Sequence, residues 1–313
     1  MTSASPWPDN RSEFDDLPTW LAFALPGRPE IRGPIRVLHV KRWGGTALFE
    51  AAGRPVVVKH AQPALFPGAT AMHATVHRVC PDRTAPLLAH AAGPGWHRSV
   101  FGFVPGPTAE EAGPHTLVAV ADALGQVQAA LATTDLFGLP SYRIDSMPDT
   151  LAEDLSVSGD QDVALVDGFL TALPVLRHHA ELLAEALPVS VDHPDVNHSN
   201  AIVTDASVVL LDWEEASVGC PLFSLPRLLA DADDEVTRDR MIDAYLDALF
   251  GGGSPGTRRL LDLATIVAPL KLAVEARAFA RALSFPHPHT NLTARLLAES
   301  LNELAAARPT ATH

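Results

Sequence analysis

The sequence predicts an α+β protein, in which a small β-rich part precedes a larger and mainly helical part. Strand-like segments, rich in β-branched or alternating apolar residues, are concentrated in the first third of the chain. Longer segments with apolar residues at helical spacing follow. The 313 residues, 47% of them hydrophobic, are enough for two lobes with a sizeable core. Strands early and helices late are typical of the α+β class.

The N-terminal part is predicted to contain two helices and several short strands. Residues 1–16 are polar and acidic, and we expect them to form a loose tail. Proline near the start of the first helix and after the end of the second one favours these boundaries. The helices are expected at Leu17–Leu25 and Ala69–Val79, and the strands at Ile35–Val40, Arg54–His60, Pro86–His90 and Ser99–Phe103.

A lobe boundary is predicted near Pro105–Pro107, where the sequence VPGP interrupts the pattern of strands. It divides the chain into an N-terminal lobe, 1–105, and a C-terminal lobe, 106–313. In the second lobe we expect one helix to be kinked or broken at Pro174 and another to be interrupted at Pro269, because proline removes a helix hydrogen bond. These helical segments are Thr116–Leu131, Val163–Leu187, Glu235–Phe250, Arg258–Leu283 and Asn291–Ala306.

Charge and composition exclude several classes of function. A net charge of −14 argues against nucleic acid as a partner, since phosphate backbones are bound by basic surfaces, and it is compatible with a cationic substrate. The two cysteines, Cys80 and Cys220, have neither disulfide nor zinc spacing. Polar or proline residues interrupt every apolar run, and the N-terminus lacks a signal-peptide pattern. We therefore expect a soluble, cytoplasmic protein.

The chemistry is concentrated in one stretch, VDHPDVNHSNAIVTDASVVLLDWEE at Val191–Glu215. It contains His193, Asp195 and Asn200 in the pattern H-x-D-x-x-x-x-N, followed by an apolar run and Asp212. Metal-assisted phosphoryl transfer needs one carboxylate to orient the attacking hydroxyl, and a carboxylate with an amide oxygen to hold Mg²⁺ on nucleotide phosphates. The pattern therefore predicts a magnesium-dependent phosphotransferase.

An upstream hairpin and lysine suit the same reaction. Gly44, Gly45 and Thr46 are predicted to form a turn between two strands, and Lys59 lies at the end of the next strand. Backbone N–H groups can approach phosphates where no side chain intervenes, and the lysine adds a positive charge. Taken alone, such a hairpin is more often an ordinary turn.

With these residues in place, the chain resembles the aminoglycoside phosphotransferase and choline kinase-like family of small-molecule kinases. The resemblance runs from about Val37 to Leu229 and is most specific in HPDVNHSN and LLDWEEASVGCP. It implies a bilobal protein-kinase-like fold with a small β-rich N-lobe and a larger, mainly helical C-lobe. It also implies transfer of the γ-phosphoryl group of ATP or GTP to an alcohol group of a small molecule, such as an antibiotic or a biosynthetic intermediate.

The resemblance also implies a role for each motif residue. Asp195 would orient or deprotonate the acceptor hydroxyl, and His193 would brace the catalytic loop. Asn200 and Asp212 would hold Mg²⁺, and Lys59 would contact the α- and β-phosphates below the Gly44–Thr46 turn. The backbone of Phe103 and Val104 would be available to the adenine edge. Glu214 and Glu215 would contact a cationic group of the substrate or remain surface charges.

Three departures from the family pattern keep other functions open. His73 stands where a helix glutamate usually pairs with the lysine, Pro194 replaces a glycine, and Ser224 replaces an aspartate that steadies the catalytic loop. One alternative is a kinase-like component that phosphorylates serine or threonine of a peptide precursor, which would need a partner protein. The other is a catalytically silent pseudokinase that acts as a binding or scaffold subunit.

Overall fold

A five-stranded antiparallel sheet forms the N-terminal part of the protein. The computed structural model describes residues 14–41, 44–61, 66, 68–93, 96–156, 162–283 and 291–307. The strands occur in the spatial order β1-β2-β3-β5-β4. They are β1 (Ile31–Lys41), β2 (Gly44–Ala51), β3 (Arg54–Ala61), β4 (Leu87–Gly93) and β5 (Trp96–Gly102). Mainly helical structure follows, so the predicted α+β class is confirmed.

Helix α1 (Leu17–Ala24) covers one face of this sheet and encloses a small apolar core. Phe14 is fully buried in that core, and Asp16 accepts two hydrogen bonds from Arg98 at 2.9 and 2.8 Å. The prediction of a loose tail is therefore wrong for residues 14–16, because the aromatic ring and the ion pair fix them to the sheet. Residues 1–13 lie outside the described residues.

The other face of the sheet carries a polar row of directly opposed residues on neighbouring strands. His39 is opposite Thr46, Thr46 is opposite Lys59, and Lys59 is opposite Ser99. Opposed residues in antiparallel strands project to the same face, so this row is on the side away from the α1 core. Helix α2 (Ala69–Val79) follows β3 and packs against the C-terminal part through Met72 and Val76.

A short segment without regular structure leads from the sheet to the helices. Gly106 has a φ of +140°, and a β-carbon there would lie 2.3 Å from the Val203 carbonyl oxygen. The Val203 N–H donates to the Pro107 carbonyl at 2.9 Å. The segment is thus fixed to the C-terminal part at residues 106–107, next to the boundary predicted near Pro105–Pro107, which stays a prediction.

The C-terminal part is built from helices around one large apolar core. Pro174 and Pro269 both lie inside continuous helices, so a break at Pro174 and the interruption at Pro269 are wrong, and a kink at Pro174 stays a prediction. A proline removes only one helix hydrogen bond, and packing against the core compensates for that loss. The helices are α3 (Ala109–Ala112), α4 (Leu117–Leu131), α5 (Met147–Ser156), α6 (Val163–Ala186), α7 (Leu225–Leu229), α8 (Glu235–Phe250), α9 (Pro255–Ala282) and α10 (Leu292–Ala307).

Two small strand pairs carry the motif stretch between α6 and α7. Strand β6 (Ser190–Asp192) pairs with β9 (Ser217–Gly219), and β7 (Ala201–Val203) pairs with β8 (Val208–Leu210). Both pairs are antiparallel, so the loops that precede and follow them meet. No helix among the described ranges is long and apolar enough to cross a membrane.

Candidate active site

The two halves of the motif meet at the open end of the β7–β8 hairpin. The Leu211 N–H donates to the Asn200 carbonyl at 2.8 Å, which continues the hairpin ladder by one pair. Asn200 directly precedes β7, and Asp212 follows β8 after one residue. The structure therefore brings these two residues, 12 positions apart in the sequence, to the same end of the hairpin.

Asp195 is held by the amide groups of two asparagines. The Asn200 side-chain N–H donates to the Asp195 carboxylate at 3.1 Å and to its main-chain carbonyl at 2.9 Å. Asn197 donates to the other carboxylate oxygen at 3.1 Å. The Arg227 guanidinium lies 3.9 Å away, and the Asp195 side chain remains 45% exposed. The carboxylate is oriented yet accessible to an acceptor hydroxyl.

Asp212 has an unusual backbone conformation for a residue with a side chain, with φ 61° and ψ 36° in the left-handed region. Aspartate tolerates this region better than most residues, and such conformations are frequent at functional sites. Its carboxylate binds the Lys59 ammonium. Burial opposes the charged form, but the attraction of Lys59 outweighs it, so the pKa of Asp212 lies below its usual value.

Lys59 is held by two carboxylates from the same segment, Asp212 and Glu214. The Lys59 Nζ lies 3.0 Å from a carboxylate oxygen of Glu214. Burial would lower the pKa of Lys59, but the two carboxylates raise it above its usual value. His73 does not bond to the lysine, because its Nε2 donates to the Ala85 carbonyl at 2.7 Å.

The side chains present fit a hard divalent cation. The Asn200 amide nitrogen is engaged by Asp195, which leaves its carbonyl oxygen as a potential ligand at the same end of the hairpin as Asp212. Carboxylate and amide oxygens are ligands that Mg²⁺ accepts. In the part of the chain that the structure describes, no three His, Cys, Asp or Glu side chains could hold a metal ion together. Mg²⁺ sites commonly use few protein ligands and complete their shell with water and phosphates.

The residues of the predicted glycine turn belong to a strand. Gly44, Gly45 and Thr46 are the first residues of β2, with Gly44 opposite Lys41, and residues 42–43 between them lie outside the described residues. A β-carbon at Gly44 would lie 2.2 Å from the His60 carbonyl oxygen. The turn prediction is therefore wrong, and the glycine is required by the close approach of β3.

An open cleft lies below this hairpin. It is lined by Gly44, Gly45, Thr46, Lys59, Asp212, Glu214 and Glu215, together with His39, Lys41 and others. Phe103 and Val104 do not line it; they follow β5 directly, with Phe103 exposed. The structure thus joins the predicted lysine, glycines and Asp212 in one cleft.

Comparison with known proteins identifies the family of the chain. The model of the phosphotransferase enzyme family matches residues 43–263, more than two thirds of the chain. The chain belongs to the phosphotransferase enzyme family. The resemblance stated from the motifs is confirmed, and so is the prediction of a phosphotransferase at that level. Comparison with curated proteins gives no match.

Solved structures similar to this phosphotransferase share its fold at low sequence identity. Amicoumacin kinase hAmiN, in complex with AMP-PNP, Ca²⁺ and Ami, has a TM-score of 0.65 at 11% identity and covers 95% of this chain and 94% of that chain. A mutant aminoglycoside phosphotransferase APH(4)-Ia, bound to AMP-PNP and hygromycin B, gives 0.64 at 15% identity and covers 95% and 100%. Choline kinase from Cryptosporidium parvum Iowa II gives 0.63 at 11% and covers 93% and 95%. The predicted kinase-like fold is confirmed.

His193 links the two loops of the phosphotransferase. Its Nε2 donates to the Leu211 carbonyl at 2.7 Å, and its ring packs against Trp213 with the ring centroids 4.7 Å apart. Burial lowers the pKa of His193, so the imidazole is neutral near pH 7. The side chain is fully buried and holds the residue before Asp212 in place.

A buried ionic cluster behind the loop was missed by the sequence reasoning. Ser224 accepts the His193 N–H at 2.8 Å and donates to Asp192 at 2.8 Å. Asp192 lies 2.5 Å from the Lys271 ammonium, which is 2% exposed and 2.6 Å from Glu275. A signal was present in the sequence IVAPLKLAVEA, in which a lone lysine stands in an apolar helix with a glutamate four residues later.

Glu215 lies at the cleft wall and remains accessible to solvent. Withdrawal from bulk water within the cleft, followed by repulsion from Asp195 and Asp212, raises the pKa of Glu215 to about 7. The side chain of Glu214, by contrast, is only 13% exposed, and its carboxylate forms an ion pair with Lys59. The two neighbouring glutamates thus differ in what they can contact.

Proposed function

We propose that the protein transfers the γ-phosphoryl group of ATP to a hydroxyl group of a small molecule. The observation that carries this proposal is the position of Asn200. Its side chain fixes Asp195, and its main chain is bonded to the residue before Asp212. One residue thereby connects a carboxylate suited to orient a hydroxyl with a carboxylate suited to hold a metal. ATP is favoured as the donor because two similar structures contain AMP-PNP.

Four side chains of the site have a role in this reaction. Asp195 accepts a hydrogen bond from the acceptor hydroxyl and orients its oxygen towards the γ-phosphorus. The Lys59 ammonium lies over the phosphates and neutralises part of their charge. Asn200 and Asp212 would hold Mg²⁺, which when bound supplies further neutralisation of the phosphates. The chain contributes mainly by positioning and charge stabilisation.

The acceptor is a small hydroxylated molecule, and a cationic one fits best. Asp195 and Glu215 are both accessible in or beside the cleft, and the molecule has a net charge of −14. Two similar structures contain hygromycin B or Ami as their ligand. These observations support an antibiotic, in resistance, or an intermediate of natural-product biosynthesis as the acceptor.

The two sequence departures that suggested a catalytically silent scaffold are each compensated in the structure. His73 provides no carboxylate for Lys59, but Glu214 does. Ser224 provides no charge for the catalytic loop, but it binds Asp192, which is neutralised by Lys271. Both altered positions are therefore compensated by other residues. We find no specific observation that favours a peptide acceptor.

A mass-spectrometric screen tests the proposal. Antibiotics, other hydroxylated small molecules and peptides are incubated with Mg²⁺ and ATP or GTP, and the gain of one phosphoryl group is measured. We expect a small-molecule product whose rate of formation falls by about a hundredfold or more in Asp195→Ala, because the oriented carboxylate is lost. Asp205→Ala, in the exposed turn of the same hairpin, is the matched control. Phosphorylation of peptides alone would contradict the small-molecule acceptor.

A further inference from the structure

Lys59 has two acidic partners, and they differ in what else they can do. Asp212 is the residue suited to hold a metal ion, and a carboxylate that turns to a cation weakens its hold on a lysine. Glu214 is oriented by its neighbours: Trp213 is fully buried and its indole N–H donates to the Leu210 carbonyl at 3.1 Å. This contact fixes the short turn on which Glu214 lies, so the carboxylate is preorganised towards the lysine.

Helix α2 does not supply a carboxylate to Lys59. The helix ATAMHATVHRV contains no acidic residue. Its buried histidine, His73, is close enough to interact electrostatically with Glu214 and Lys59. Burial lowers the pKa of His73, so it is neutral near pH 7. The His73 ring packs edge-on against Phe101, with the ring centroids 4.7 Å apart. A neutral imidazole cannot balance the lysine charge.

We propose that Glu214 is the positioning residue that holds Lys59 over the nucleotide phosphates while Asp212 is bound to the metal ion. The proposal rests on the proposed function, and it deepens that function by assigning one glutamate to the lysine and not to the acceptor. The lysine is then coupled to the segment that follows β8 in the C-terminal part. Helix α2 packs against the Trp213–Glu215 turn but supplies no carboxylate to the lysine.

The test uses Glu214→Gln, which keeps the shape of the side chain and removes its charge. Two readouts need no acceptor: the affinity for ATP measured by calorimetry in the presence of Mg²⁺, the condition in which Asp212 is expected to turn from the lysine to the metal, and the rate at which an amine-reactive reagent labels Lys59, followed by mass spectrometry. We expect weaker binding of ATP and about tenfold faster labelling, because loss of a neighbouring carboxylate lowers the pKa of a lysine by about one unit. Glu50→Gln, which removes an ion-paired glutamate of β2 outside the cleft, should change neither.

A second variant separates positioning from folding. His73→Glu places a carboxylate on α2 beside the same lysine, and in the Glu214→Gln background it should restore both the affinity for ATP and the slow labelling of Lys59. His73→Glu alone should give no gain. Unchanged labelling and affinity in Glu214→Gln would overturn the proposal, and so would a loss that His73→Glu does not restore. Neither readout depends on turnover, so failure of the acceptor screen remains a separate result.

Discussion

At the scale of single residues, Ser224 shows how one hydroxyl can fix a catalytic loop. Its oxygen accepts hydrogen bonds from the His193 N–H and the Gln128 side chain, at 2.8 and 2.9 Å, and its hydrogen is donated to Asp192. All three partners are buried. The hydroxyl therefore makes one donated and two accepted hydrogen bonds, and its buried partners could not form hydrogen bonds with bulk water in its place.

Ser224→Ala should destabilise the protein and slow phosphoryl transfer. Removing the hydroxyl leaves a buried N–H and a buried carboxylate oxygen unsatisfied, which costs about 1–3 kcal/mol for each group. We expect a loss of at least about 2 kcal/mol in urea denaturation and a lower kcat. Ser156→Ala, at an exposed position, should change the free energy of unfolding by less than about 0.5 kcal/mol. Equal effects of the two variants would contradict this role of Ser224.

The sequence could reveal the residues of the motif but not the partners that orient them. Asp195, Asn200 and Asp212 have a fixed spacing on short loops, so pattern reasoning finds them. Glu214 binds a lysine 155 positions earlier in the sequence. Such a contact depends on how the sheet is placed on the helices, which no local pattern encodes. The same is true of Arg227, which approaches Asp195 from α7.

At the scale of elements, glycine marks the closest helix packing in the molecule's C-terminal part. A β-carbon at Gly125 of α4 would lie 2.7 Å from the Tyr245 carbonyl and 2.8 Å from the Ala248 side chain, both on α8. At Gly168 of α6 the nearest atom would lie at 3.5 Å, which is an ordinary contact. Close packing of α4 against α8 therefore requires a glycine at Gly125, whereas the space at Gly168 would accept an alanine.

We predict opposite effects of the same substitution at these two positions. Gly125→Ala should destabilise the protein by about 1–3 kcal/mol, because α4 and α8 must separate. Gly168→Ala should stabilise it by up to about 1 kcal/mol, because alanine favours the helix. Thermal denaturation of the two variants measures both effects. A stabilised Gly125→Ala variant would mean that α8 can shift without cost.

Element boundaries were predicted best where one local signal dominates. Helix α1 ends within one residue of the predicted position, since a proline-glycine pair follows it. The prolines inside α6 and α9 misled the prediction because burial of the surrounding residues outweighs one lost hydrogen bond. Similarly, the two glycines of β2 read as a turn, although close packing of β3 places them inside a strand.

At the scale of the whole molecule, buried histidines make stability depend on pH. Burial lowers the pKa of His73 and of His193 below the usual 6.5. Below pH 6.5 the unfolded chain binds protons that the folded protein does not, so the free energy of unfolding falls on acidification. The slope is at most about 1.4 kcal/mol per pH unit for each such histidine. Burial raises the pKa of Glu275, which acts in the opposite direction and offsets part of this loss.

The prediction is checked by urea denaturation at pH 7.5, 6.5 and 5.5. Wild-type protein should lose stability most steeply below pH 6.5. In His73→Gln one of the titrating groups is absent, so the fall between pH 6.5 and 5.5 should be smaller, by up to about 1.4 kcal/mol. An identical fall in both proteins would show that His73 titrates normally when folded. His90→Gln, an exposed histidine of β4, is the control and should follow the wild type.

The attachment of Gly106 to β7 has a mechanical consequence for the molecule. Residues 106–107 are bonded to the C-terminal part, and Thr84, before β4, forms a bridge to Leu210 of β8, so any rotation of the sheet must be absorbed in the short segments between these attachments and strands β4 and β5. The β1–β2 edge lies two and three strands from β5, about 10–15 Å away at the usual spacing. A change of torsion in these segments would therefore displace the β1–β2 hairpin more than β5, and an insertion there would alter the position of the hairpin without touching the cleft.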